Sequence, residues 1–278
     1  MSFEEMSAEE LAERRHQLLD GVPEVDAITN KALREKLGWG EDAYWYVRNP
    51  LIEEGVLEKM PGRGGKVRRV SLPAAPSVEE VVPSPSSDNG EQPPALQTGG
   101  YTREEELYVP MRNVISAQWC RDQGFDDFAV EITARQGSRQ TGGTWSRPDI
   151  TVFAHKTYPY VPDHFFEVVT FEVKPSGCAN VAAVYEALAH RRAATQAYVV
   201  VHIPPDWSEA LQTTMNDVIS EAKKWSVGVM VAEDPTDFYT WEVCVEAERQ
   251  TPDPKRLNDF IAQQTSQELK ERIARWFK

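Results

Sequence analysis

The chain has 278 residues, 41% hydrophobic and 27% charged, an ordinary globular composition with room for two domains. Its net charge of −14, from 44 acidic and 30 basic residues, excludes a surface coated with nucleic-acid-binding charge but leaves room for a local basic patch. The longest apolar runs, 197–201 and 227–232, fall far short of the roughly 18 residues that span a bilayer, and the acidic start MSFEEMSAEE has no apolar signal-peptide core, so a cytoplasmic protein without a membrane partner is expected.

Ser7, with Glu10 three residues on, predicts the cap of a helix running to about Asp20. Ile28, Ala32, Leu33 and Leu37 fall at helical spacing and predict a second helix over 26–39, stopped by Gly38. A third helix is predicted over 41–59, with Tyr44, Val47 and Leu51 inward and a kink or an end near Asn49, because Pro50 follows. Two short strands, 56–60 and 66–72, flank the turn PGRGG. Three helices and then a hairpin is the order of a winged helix-turn-helix, so 1–72 is expected to form one. From Lys59 to Arg69 there are five basic residues (Lys59, Arg63, Lys66, Arg68, Arg69) and no acids, the footprint expected for a phosphate backbone. Trp45, Arg48 and Asn49 lie off the inward stripe of the third helix and are expected to meet base edges or sugar; a winged helix used only for protein contacts is the alternative.

Residues 73–100 hold six prolines and few large apolar side chains, which predicts a flexible linker. In the unit 101–278, a helix over 102–124 is expected, capped by Thr102, with Leu107, Met111, Val114, Ile115 and Trp119 on its apolar stripe. Strands follow at 128–135, 145–154 and 164–174, with a Gly-rich loop at 136–144 and a turn at 156–164. Then come a helix (181–194), a strand (196–203), a helix (208–225), strands 227–232 and 241–247, and one closing helix over about 254–277. This is a mixed-sheet α/β pattern with an α-β-β-β-α-β core. Cys120, Cys178 and Cys244 are widely spaced and read as reduced thiols.

Glu172 and Lys174 sit two apart on the strand FEVKP and so share a face. Asp149, on the preceding strand, comes alongside Glu172 if the two strands pair. Two carboxylates that close repel unless a cation lies between them, and hard oxygen ligands suit Mg²⁺ or Mn²⁺. The Val173 carbonyl is a natural further ligand. A plain same-face ion pair is the competing reading of Glu172 and Lys174.

RPD (147–149) followed by FEVKP (171–175), in that element order, resembles the PD-(D/E)XK, restriction-endonuclease-like nucleases, over about 101–203. The resemblance implies Asp149 and Glu172 as metal ligands and Lys174 as the catalytic lysine. It also implies a glutamate on the first helix, where Glu104, Glu105 and Glu106 compete; Glu104 is close enough to the N-cap to serve the helix dipole, which favours Glu105. The resemblance also implies a further polar residue on the helix after the lysine strand, where 185–196 supplies Glu186, His190, Arg191 and Gln196; His190 or Arg191 would face phosphate, and a solvated helix face is the alternative for any one of them. Arg135, Arg139 and Arg147 would clamp the backbone of DNA, Arg147 being the best placed. The implied protein is a Mg²⁺-dependent DNA endonuclease of restriction or phage defence, Mrr-like in domain order. A homodimer is expected, since two strands need two active sites, and a partner protein or small activator is possible in such systems. The alternative is a non-catalytic winged-helix DNA-binding regulator that uses the nuclease-like fold as a scaffold or sensor. There is no HExxH, GxSxG or P-loop motif to suggest other chemistry.

Overall fold

The computed structural model describes residues 7–60, 62–63, 65–70, 101–134, 147–205 and 208–277. The expected linker over 73–100 therefore lies outside the described residues, as do Arg135, Arg139 and the Gly-rich loop.

Helix α1 (Ala8–Gly21) begins at Ser7, whose hydroxyl accepts the Glu10 amide at 3.2 Å. The second helix starts later than its periodicity suggests. Ile28–Thr29 forms strand β1, because its β-branched side chains favour extended backbone, and Thr29 then caps α2 (Asn30–Leu37) by accepting the Ala32 amide. Gly38, left-handed at φ 67°, ends α2 as expected. Helix α3 (Glu41–Glu53) runs through Pro50 rather than stopping at Asn49; the proline lies in its last turn, where little of the ladder remains to be lost. Strands β2 (Leu57–Met60), β3 (Gly62–Arg63) and β4 (Lys66–Arg69) follow, and β1, β4 and β2 make a small antiparallel sheet. Leu18, Leu33, Tyr44, Val47, Leu51, Leu57 and Val67 form the core of this N-terminal unit.

The C-terminal unit opens with α4 (Glu104–Val114), a π-helical turn at Ile115–Trp119 and the short α5 (Cys120–Asp122). Thr102 is not its cap. The Glu106 carboxylate instead reaches back to accept the amides of Thr102 and Arg103, at 3.2 and 3.3 Å. Next come β5 (Asp127–Ile132), β6 (Ile150–Tyr158), β7 (Val161–Pro175), α6 (Ala182–His190), β8 (Gln196–His202), α7 (Glu209–Lys224), β9 (Gly228–Ala232) and β10 (Trp241–Val245). The β6–β7 hairpin extends until Tyr158 meets Val161, so most of the expected turn over 156–164 is strand. The single closing helix is two, α8 (Pro254–Gln264) and α9 (Gln267–Trp276). Ser266 breaks the run by capping α9 while its own amide donates to Glu131 at 3.2 Å.

The main sheet has seven strands in the order β3-β10-β9-β8-β7-β6-β5. Strands β5, β6 and β7 are antiparallel; β7, β8 and β9 are parallel, with α6 and α7 as the crossovers a parallel pair requires. The architecture is mixed-sheet α/β. Val169, Phe171 and Val173 pack beneath α4 and the π turn, with Trp119 edge-on to Phe171 at 5.1 Å. On the other side Val199, Val201 and Val229 meet α6 and α7, and Phe153 and Val168 meet α8 and α9. Among the described residues, no helix is long and apolar enough to cross a membrane.

The N-terminal unit is docked on this sheet, and here the expectation for the third helix is corrected. Trp45 and Arg48 are buried, Arg48 to 1% exposure; Trp45 joins the core of the N-terminal unit, and Arg48 bonds to the C-terminal unit rather than facing solvent. The Arg48 guanidinium pairs with Asp122 at 2.9 Å and donates to its carbonyl at 3.0 Å, while the Asn49 amide donates to the Arg121 carbonyl at 2.8 Å. Arg48 sits away from the inward stripe of α3, as its position suggested. What periodicity does not reveal is that a second unit covers that side. The segment between β2 and β4 contributes as well: Gly62 and Arg63 of β3 pair with Val243 and Glu242 of β10. The side chain of Arg63 lies outside the described residues.

Candidate active site

Ile150 pairs with Phe171 across β6 and β7, and one further step places Asp149 opposite Glu172. The Asp149 amide donates to the Phe171 carbonyl at 3.1 Å, and the Val173 amide donates to the Asp149 carboxylate at 2.8 Å. Pro148 and Asp149 are both buried, so the carboxylate is held at the sheet end from two directions. The third is the Tyr108 hydroxyl of α4, which also bonds to it.

Lys174 lies at the centre. Its ammonium is 2.7 Å from Glu172, 2.8 Å from Glu104 and 3.0 Å from Glu186. One strand and two helices thus converge on one cation: β7 supplies Glu172, the first turn of α4 supplies Glu104, and α6 supplies Glu186. Glu104 therefore takes the place expected for Glu105, which is exposed. The first helical residue leans back toward the end of β7, so closeness to the N-cap brings it to the site rather than diverting it. Glu186 follows from α6 lying over β7 and β8, which brings its inward side to the same sheet end.

Burial and mutual repulsion set the electrostatics. Loss of water pushes the Glu172 carboxyl well above the usual range; the Asp149 charge adds to this, and Lys174 pulls against it. Asp149 is also pushed up, by burial, against the bonds from Tyr108 and Val173. Burial disfavours the Lys174 ammonium too, yet Glu172, Glu104 and Glu186 outweigh it and hold the amine charged. Glu186 is shifted down despite its burial, by its bonds to Glu172 and Lys174. A proton on Glu172, shared toward Glu186, is consistent with these opposite directions. His190 is buried, its pKa driven down to about 3 by desolvation, so it stands as a neutral ring 3.9 Å from Glu172 and not as a phosphate-binding cation. Arg191 turns away and donates to the Trp225 carbonyl.

Asp149 and Glu172 offer hard oxygen donors suited to Mg²⁺ or Mn²⁺, and burial disfavours both as anions. The donor set fits such an ion if water and phosphate oxygens complete the shell. Among the described residues, however, no group of three or more His, Cys, Asp or Glu is disposed to hold a metal. Lys174 supplies the compensating charge instead. What the structure gives at Val173 is an amide that steadies Asp149.

The remaining residues singled out for DNA are distributed differently from expectation. Arg147 is half-buried two positions before Asp149. Arg68 is paired with Glu58 on the adjoining strand. Arg69 donates to the Leu19 carbonyl at 3.1 Å and lies 3.7 Å from Asp20. Lys66 is half-buried on β4, and Arg139 lies outside the described residues. No family model matches this chain, and no curated protein matches it either.

Proposed function

We propose that the protein is a metal-dependent DNA endonuclease of the PD-(D/E)XK, restriction-endonuclease-like kind. The observation that carries this reading is the convergence of Asp149, Glu172 and Lys174 at one end of adjoining strands, in a buried and strongly polarised cluster. Such a grouping is costly to fold, because desolvated carboxylates oppose it, and a cost of that kind is common at functional sites. A bound Mg²⁺ or Mn²⁺ would supply Lewis-acid polarisation of the phosphate and a more acidic water. The chain's own residues have separate tasks. Asp149, steadied by Val173 and Tyr108, and Glu172 would hold the ion. Lys174 orients the water and offsets the charge that grows on the phosphate oxygens. Glu104 and Glu186 keep Lys174 aimed and charged. Restriction or phage defence is the setting this activity suits, and cleavage of both strands would call for a homodimer.

The regulator reading, in which the fold only supports a DNA-binding winged helix, has one observation in its favour: Lys174 is held by three carboxylates, as in a plain structural ion cluster. It is opposed by the burial of Trp45 and Arg48 on the helix that would read bases. Nicking of supercoiled plasmid with Mn²⁺ or Mg²⁺, compared between wild type and Lys174→Ala, separates the two. Metal-dependent nicking that vanishes in the variant supports the nuclease. Equal nicking by both proteins defeats it.

A further inference from the structure

The β6–β7 hairpin carries, at the end away from Asp149 and Glu172, two histidines whose rings meet across the strands. His155 Nε2 lies 2.9 Å from His164 Nδ1, and the ring centroids are 5.1 Å apart with an interplanar angle of 19°. With the nitrogens that close and the centroids that far apart, the rings lie edge to edge, the lone pair of one facing the N–H of the other. His155 is fixed from its surroundings. Its ring runs within 18° of parallel to Trp276 of α9. Its Nδ1 is buried without a hydrogen-bond partner, with the Asp126 carboxylate 4.0 Å away. Asp126 in turn accepts the amide and the hydroxyl of Thr157, at 2.6 and 2.8 Å. His164 is exposed, and the backbone aims it. The β6–β7 register slips between Lys156 and Tyr158, and Asp163, just before His164, takes a φ of 86° that residues other than glycine rarely adopt. Bulges re-aim side chains in this way, and backbone strain of this kind collects at functional positions.

We propose that His155 Nε2 and His164 Nδ1 form a two-nitrogen site for a divalent transition-metal ion, Ni²⁺ or Cu²⁺ by preference. Imidazole suits such ions, whereas Mg²⁺ and Mn²⁺ seek oxygen, so this site and the carboxylates around Lys174 select different metals. With metal–imidazole bonds of about 2.0–2.1 Å, nitrogens at the observed spacing subtend close to a right angle. That is the angle between neighbouring positions of a square-planar or octahedral ion, and it is tighter than a Zn²⁺ tetrahedron. Asp126 stands where a metal-bound imidazole usually has its outer carboxylate, which favours the N–H on His155 Nδ1 and leaves the Nε2 lone pair for the ion. When the ion enters, the His164 ring turns and its proton passes from Nδ1 to Nε2. Two neutral rings then donate, and no net proton leaves. Among the described residues no third His, Cys, Asp or Glu completes a cluster, so water fills the other positions. The bound ion ties the exposed end of β7 to a ring anchored against α9. The proposal is independent of the nuclease reading.

Calorimetric titration of the full chain with Ni²⁺ tests it, in excess Mg²⁺ so that oxygen sites are occupied. Wild type is expected to bind a single Ni²⁺ and to melt at a higher temperature with it. His164→Ala, at an exposed position where the fold tolerates change, is expected to bind at least about tenfold more weakly and to lose the rise in melting temperature. Asp126→Asn removes the outer carboxylate and is expected to weaken binding about tenfold. His16→Ala and Cys178→Ser remove exposed donors elsewhere and are expected to bind as wild type does. Equal affinity in wild type and His164→Ala overturns the proposal and leaves a plain imidazole–imidazole hydrogen bond. Loss of binding in either control also overturns it, as does a wild type that takes up no Ni²⁺ at millimolar concentration.

Discussion

The carboxylate of Asp149 accepts a 2.8 Å hydrogen bond from the amide of Val173, the residue between Glu172 and Lys174. One backbone bond thus ties the acid of β6 to the acid–amine pair of β7. The three side chains keep their relation through the sheet itself and not through a mobile loop. Four expectations follow from this arrangement and from the packing around it.

Lys174→Ala removes the ammonium that Glu104, Glu172 and Glu186 share. Nuclease activity should fall by about 10²–10³-fold, the usual effect of losing one charge-stabilising group. Stability should show a sign opposite to that of a salt-bridged acid. Glu172 is held above its ordinary pKa, so its contribution is complete below the unfolded carboxylate range and is lost as pH rises through the folded value. Without Lys174 that loss deepens. Thermal midpoints measured from about pH 4 to about pH 8 should diverge from wild type toward the upper end. A constant gap across that range would count against the electrostatic account.

Asp149→Asn separates stability from metal binding. It deletes a buried carboxylate whose charge burial disfavours, while the Asn carbonyl can still accept the Val173 amide. The metal-free protein should be more stable, by about 1 kcal/mol. The rise in melting temperature caused by Mn²⁺ in wild type should disappear. In wild type that rise should grow with pH, because raised carboxyls must shed protons before they bind a cation. A wild-type Mn²⁺ shift in the variant would remove Asp149 from the ligand set.

Arg48→Ala should cost about 3 kcal/mol of unfolding free energy, since it leaves the buried Asp122 carboxylate with Lys59 as its remaining cation. Urea titration followed by tryptophan fluorescence is a suitable measurement, because the guanidinium lies 5.2 Å from the Trp45 ring centroid. A loss below about 0.5 kcal/mol would place this pair among weak surface contacts.

Ser266→Ala tests the corner between α8 and α9. The hydroxyl caps α9 by accepting the Leu269 amide, and its removal should cost about 1 kcal/mol. Among the described residues Ser266 bonds to Glu131 and Leu269 and not to the Lys174 cluster, so cleavage per folded molecule should be unchanged. Differential scanning calorimetry beside a plasmid assay reports both quantities.

Much of this molecule was legible before any coordinates. The apolar stripe Leu107, Met111, Val114, Ile115 and Trp119 is buried as its spacing required. Period-2 alternation placed Glu172 and Lys174 together, and the β6–β7 register brings Asp149 to them. The misreadings share a cause: each depended on what lies across a tertiary contact. Periodicity located the outer side of α3 but carried no information about what covers it. Glu104 looked committed to a helix end, and only the position of α4 over the sheet draws it to Lys174. Thr29 and Ser266 read as helix interior, yet their side chains cap, and competition between local bonds of that kind is finely balanced.

The two-residue strand β3 has a consequence for how the molecule can be divided. It lies along β10, the outermost strand that the C-terminal unit itself provides on that side. Cutting away the first 72 residues would bare the edge of β10 at Glu242 and Val243, an invitation to strand addition between molecules. A truncated C-terminal fragment is thus more open to self-association along that edge than the whole chain, in which β3 covers part of it.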